Sequence, residues 1–210
     1  MPNATLLLGF IAAALVVLII PGPGVLYAVA RSLSQGRRAG LVSALGLSTG
    51  ALVHVAAAAV GLSAILLTSA TAFGIVKLLG ASYLIYLGLK TLFARQPMVA
   101  MEAVAPHTLR RLFIDGAVIS VFNPKIAVFF LAFLPQFVYP TAGPVAAQLL
   151  GLGLIYVALA LMTDGTYVLL AGGLRPWLGG RLLQGPMPRY VCGSLYIGLG
   201  VNTALTGRQS

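Results

Sequence analysis

Two stretches of this chain place residues that a plain helix avoids inside long apolar runs: Pro21-Gly22-Pro23-Gly24, and Asn123-Pro124-Lys125. Proline has no amide hydrogen and clashes with the turn before it. The carbonyls of Val17, Ile19 and Ser120, each four residues before a proline, therefore lose their helical partners. Bare carbonyls accept hydrogen bonds from ammonium groups, and a lysine or the positive end of a half-helix attracts a carboxylate. The alternative for either stretch is a structural kink satisfied by a neighbouring helix, with Lys125 paired to an acid. The chain has only 3 acidic side chains. Asp164 stands about 16 Å of helix from Arg175, at a depth close to that of Lys125. A carboxyl there could load and release a proton or form a static ion pair with Lys125. Asp115 is one turn from Arg110 and Arg111, which favours a surface salt bridge over a gate. His54 could relay protons near neutral pH, though a hydrogen-bonded packing histidine is the simpler reading.

The elements that must carry these residues are long and apolar. Of 210 residues, 60% are hydrophobic and 8% charged, where soluble domains carry about a quarter charged residues. Spans of about 20 apolar residues cross a bilayer, and the segments 4–30, 41–67, 72–93, 112–138, 144–170 and 190–205 qualify. The first, fourth and fifth exceed the need, which predicts tilt or breaks. A barrel would instead show short alternating strands. The expectation is an all-α integral membrane protein, a single transmembrane domain over 1–210 with about six transmembrane helices. The N-terminus lacks a basic region and cleavage site, so 4–20 is expected to stay as a helix. Lys125 lies roughly 20 Å from either end of its segment, beyond easy snorkelling, and a charge at that depth marks a cavity. Lys77, nearer its end, reads as an anchor.

The 13 lysines and arginines fall in the loops after the first, third and fifth segments, except Lys77, Lys125 and Arg208. The positive-inside rule places those loops in the cytoplasm and both termini in the periplasm. The same clustering in separate loops argues against nucleic acid as the reason for the net charge of +10. Residues 77–91 align with 189–203 through matching serine, isoleucine, leucine, glycine and threonine. With three helices per half, this predicts two inverted three-helix repeats, half one about 1–93 and half two about 109–210, joined by a connector at about 94–108. Transport sites form where such halves meet. Gly46, Gly50 and Gly61 with Ser48 and Ala57 give a small-residue packing face, which permits a homodimer without demanding one.

No nucleophile–histidine–acid set, metal cluster or phosphate loop is evident, so no enzyme activity, metal or cofactor is expected. Gly172-Gly173 follows no strand and reads as a helix end. Cys192 is the sole cysteine, which excludes a disulfide, a zinc cluster and a dithiol.

The chain resembles the LysE/RhtB (lysine exporter / homoserine-threonine resistance) family over nearly its whole length. The resemblance rests on Pro21-Gly22-Pro23 and on the run from Phe122-Asn123-Pro124-Lys125 through Phe129-Phe130-Leu131-Ala132-Phe133-Leu134-Pro135-Gln136-Phe137. Gly46 to Gly50 with His54 and Gly61, Leu79-Gly80-Ala81-Ser82-Tyr83-Leu84 and the glycine-rich last segment support it. It implies a bacterial inner-membrane exporter of amino acids or derivatives, driven by proton antiport, with membrane lipid as its surroundings. The expected substrate-binding residues are Pro21, Gly22, Pro23, Gly24, Asn123, Pro124 and Lys125, and the proton-coupling candidates are Asp164, Asp115 and His54. The competing classes are a membrane scaffold or assembly factor and a transmembrane redox carrier. Solute counterflow by the isolated protein separates the first from transport, and the single cysteine argues against the second.

Overall fold

The computed structural model describes residues 4–62, 70–93 and 106–178, with Ile197 and Val201. Among them every regular element is helical. The sixth expected span, most of the connector, Cys192 and the second copy of the repeat lie outside the described residues, apart from Ile197 and Val201.

The first expected span is two helices, α1 (Ala4–Ile19) and α2 (Pro23–Gln35), bent by 55° at the Pro-Gly-Pro break. Pro23 stands at the first turn of α2, where its missing amide costs nothing. Gly36, at φ 92°, turns the chain in a single residue from α2 into α3 (Arg37–Ala57). A side chain there would strain the backbone. The basic segment after the first span is therefore helix, and Arg31, expected in a loop, is buried. A π-helical turn, Ala58–Leu62, continues α3, and α4 covers Ala70–Leu92.

The fourth expected span is also broken. Helix α5 (Leu109–Val121) and the segment from Pro124 to Phe137 meet at 44°. That segment is α6 (Pro124–Val128), a π-helical turn (Phe129–Phe133) and a 3-10 turn (Leu134–Phe137). The long helix α7 (Val145–Leu178) runs past Arg175, which the sequence had placed in a loop. Two helices, Arg37–Gly61 and Val145–Gly173, are each long and apolar enough to cross a membrane; each bent pair passes the same test together, giving up to 4 spans among the described residues.

Helices α3 and α5 touch backbone to backbone. A Cβ on Gly46 would collide with the carbonyl of Phe113, and one on Gly50 with that of Ala117. Gly116 of α5 faces the Ser43 carbonyl in return. The small-residue face read from the sequence is thus used at Gly46 and Gly50. Around α1, α6 and α7 the core is aromatic. Phe129 stacks on Tyr156 with centroids 4.4 Å apart, and Phe10, Phe130, Phe133 and Phe137 join the cluster. This core and the α3–α5 contact hold the two helix breaks against α7.

Candidate functional site

At the first break, two adjacent carbonyls turn out of the helix and find partners on other helices. The Ile19 carbonyl accepts from the Tyr167 hydroxyl at 2.6 Å. The Ile20 carbonyl accepts from Lys125 Nζ at 2.5 Å. Gly22 caps α2 in an extended conformation with no side-chain help. The amides of Gly24 and Val25, in the first turn of α2, have no partner within that helix.

The second break closes on itself. Asn123 caps α6, its side chain accepting from the Lys125 amide at 3.0 Å. The Asn123 carbonyl accepts from Ile126 and Ala127, and its amide donates to Ser120. His54 Nε2 sits 3.1 Å from the same Ser120 carbonyl, and the imidazole stacks on Phe130. The carbonyls of Ile19 and Ser120, expected to be bare, are therefore occupied by protein groups.

Lys125 is 5% exposed and reaches from the second break to the first. Beside it lies a cavity of about 40 Å³, lined by Gly22, Gly24, Asn123, Lys125 and Asp164 among others. That volume holds about two or three waters, against the few hundred cubic ångströms, roughly, of a preformed ligand pocket. The site is narrow around its polar groups. Leu18, Val25, Leu47 and Ile126 supply apolar wall, and Tyr156 joins the cavity to the aromatic core.

Of the residues singled out by sequence, Gly22, Gly24, Asn123, Lys125 and Asp164 meet at this cavity. Pro21, Pro23 and Pro124 do not line it; Pro23 and Pro124 are exposed. The prolines act by breaking the backbone. Asp164 is 7% exposed and makes neither hydrogen bond nor ion pair among the described residues. Sequence reasoning gave Ser48 only a packing role, yet its buried hydroxyl lines the cavity with no partner among the described residues.

Asp115 lies elsewhere. It pairs with Arg111 at 2.8 Å and approaches His107 Nδ1 at 3.2 Å. The same His107 nitrogen is 3.1 Å from Arg31 Nη2, and Gln35 bonds the His107 backbone at both its amide and its carbonyl. This cluster ties the end of α2 to the start of α5. His54 likewise stands outside the cavity lining, on the Ser120 carbonyl.

The sequence profile described as LysE type translocator matches residues 15–207. An uncharacterized membrane protein of Vibrio cholerae is 31% identical over 92% of this chain and 94% of its own. A homoserine/homoserine lactone efflux protein of Salmonella typhimurium is 34% identical over 76% of this chain and 77% of its own. A leucine efflux protein of the same organism is 32% identical over 63% of each chain. No solved structure matches.

Proposed function

The chain belongs to the LysE type translocator family, and from that premise we propose that it exports amino acids or their derivatives across the bacterial inner membrane; two relatives are named as efflux proteins, one for homoserine/homoserine lactone and one for leucine. It is a membrane transporter and not an enzyme. In this reading six spans form two inverted halves, about 1–93 and 109–210, with the basic loops cytoplasmic and both termini periplasmic. Export proceeds by alternating access, and the site lies between the halves.

One observation carries the reading. A buried lysine from the second broken helix bonds a carbonyl freed in the first, beside a cavity that also holds a buried acid. Lys125 and the free amides at the start of α2 present positive charge to the same space. The substrate carboxylate docks there and takes over Lys125 from the Ile20 carbonyl, which loosens the joint between α1 and α2. At about 40 Å³ the cavity must widen to admit a solute. Coupling to proton entry falls to Asp164, since Asp115 and His54 are engaged outside the cavity.

The test is counterflow of an amino-acid panel by purified protein in liposomes. Wild type should exchange at least one member, and Lys125→Ala should lose that exchange by about 100-fold or more. Normal exchange of the full panel by Lys125→Ala would overturn the assignment.

A further inference from the structure

A docked amino acid brings an ammonium as well as a carboxylate, and the ammonium needs acceptors for its donors. The carbonyls released by the helix breaks already hold protein donors in this state, and each is neutral. Ile19 is taken by Tyr167, Ile20 by Lys125, and Ser120 by His54 and the Asn123 amide. One charged acceptor in the cavity wall takes no hydrogen bond from a described residue. Asp164 is buried at this cavity with no hydrogen bond or ion pair to a described residue, and Lys125 acts on it through charge alone. A buried carboxylate without a hydrogen bond is costly, and the charge of Lys125, whose Nζ is bonded to the Ile20 carbonyl, offsets that only in part. A proton relieves that cost by removing the charge, and an ammonium relieves it by pairing. The two remedies exclude each other, because a protonated carboxyl no longer offers an anion.

We propose that Asp164 receives the substrate's ammonium group, and that proton and ammonium compete for this one carboxylate. The inference rests on the transport reading above and adds to it the substrate's second anchor and the reason the exchange is obligatory. When the site opens to the side from which protons enter, the carboxylate takes a proton from water and the ammonium leaves. When it opens to the other side, the carboxyl returns its proton to water and the next ammonium docks. The wall around both anchors is mainly aliphatic, with Leu18, Val25, Leu47 and Ile126. The class is therefore a zwitterion with a free amine and a neutral aliphatic side chain. N-acylated amino acids and 2-hydroxy acids keep the carboxylate and lose the ammonium, so they are excluded. Of the described residues lining the cavity, the other ionisable ones are Lys125 on α6 and Tyr156 on α7; the described residues of α1, α2 and α3 contribute none.

The experiment uses the full chain in proteoliposomes and radiolabelled leucine, valine and threonine as probes. No counterflow of any probe, or of any other proteinogenic amino acid, would overturn the transport reading and this inference with it. With the probe that exchanges best, the N-acetyl derivative and the matching 2-hydroxy acid should each compete at least tenfold more weakly than the amino acid. The apparent affinity of wild type should weaken by up to about tenfold per unit of falling pH over the range in which the site takes up its proton. Asp164→Asn should bind at least tenfold more weakly and lose the pH dependence, and Asp164→Glu should restore part of both. If the N-acetyl derivative competes equally, or Asp164→Asn keeps both affinity and pH dependence, the inference fails while export stands. Should Asp164→Asn not fold, the competitor and pH measurements on wild type decide alone.

Discussion

The two helix breaks share a cause and differ in how they are closed. At the second, the chain supplies its own local repair: Asn123 caps α6 and its amide donates to the Ser120 carbonyl, to which the more distant His54 of α3 only adds a second donor. At the first, no local side chain serves. The Ile19 and Ile20 carbonyls depend on Tyr167 and Lys125, which are 148 and 105 positions away in sequence. A self-capped break is a fixed platform. A break closed by a distant lysine is a joint, and it stays closed only while that lysine has no better partner. In the proposed transport a substrate carboxylate is such a partner, because a charge-assisted bond between ions is stronger than one to a carbonyl.

Substitutions sharpen or break this contrast in a definite order of size. The largest effect belongs to Lys125→Met, which keeps the apolar stem and removes the charge. Exchange should fall at least about 100-fold, and the orphaned Ile20 carbonyl should cost about 1–3 kcal/mol in a thermal or denaturant unfolding assay. Next comes Tyr167→Phe, which deletes only the hydroxyl on Ile19. It should cost about 1 kcal/mol and slow exchange several-fold, since the joint loses one of its two closures. Asn123→Ala removes a helix cap worth about 1 kcal/mol. Its expected signature is reduced stability with a smaller change in exchange than Tyr167→Phe; the reverse order would erase the distinction between platform and joint. The smallest effect is Asp115→Asn. Its pair with Arg111 is partly exposed and lies away from the cavity, so exchange should change by less than about twofold and stability by at most about 1 kcal/mol.

Much of this arrangement was legible in the sequence, and the limits have a physical cause. Proline announces which hydrogen bond is lost, so both breaks and their positions could be read directly. Helix rise put Lys125 and Asp164 at a similar height, and they line one cavity; Gly46 and Gly50 marked a close helix contact. Proline does not announce what replaces the lost bond. The partner depends on how helices distant in sequence cross, so Tyr167 and the choice of Ile20 by Lys125 were invisible. For the same reason the carbonyls of Ile19 and Ser120 were expected to be free. Ser48 belongs to a packing face by type and spacing, and only its place in the cavity that Asp164 and Lys125 also line gives its hydroxyl another meaning. The burial of Arg31 was hidden because Gly36 lets α2 and α3 meet in one residue, turning an expected loop into helix.

Whether the cavity is the place where substrate sits is tested most directly at Ser48. In a Ser48→Cys, Cys192→Ala variant the introduced thiol is the sole one in the chain. During exchange it should react with a small water-soluble thiol reagent, and a saturating concentration of the transported amino acid should slow that reaction several-fold. A thiol that reacts at the same rate with and without the amino acid, in protein that still exchanges it, would contradict a substrate site between the two broken helices.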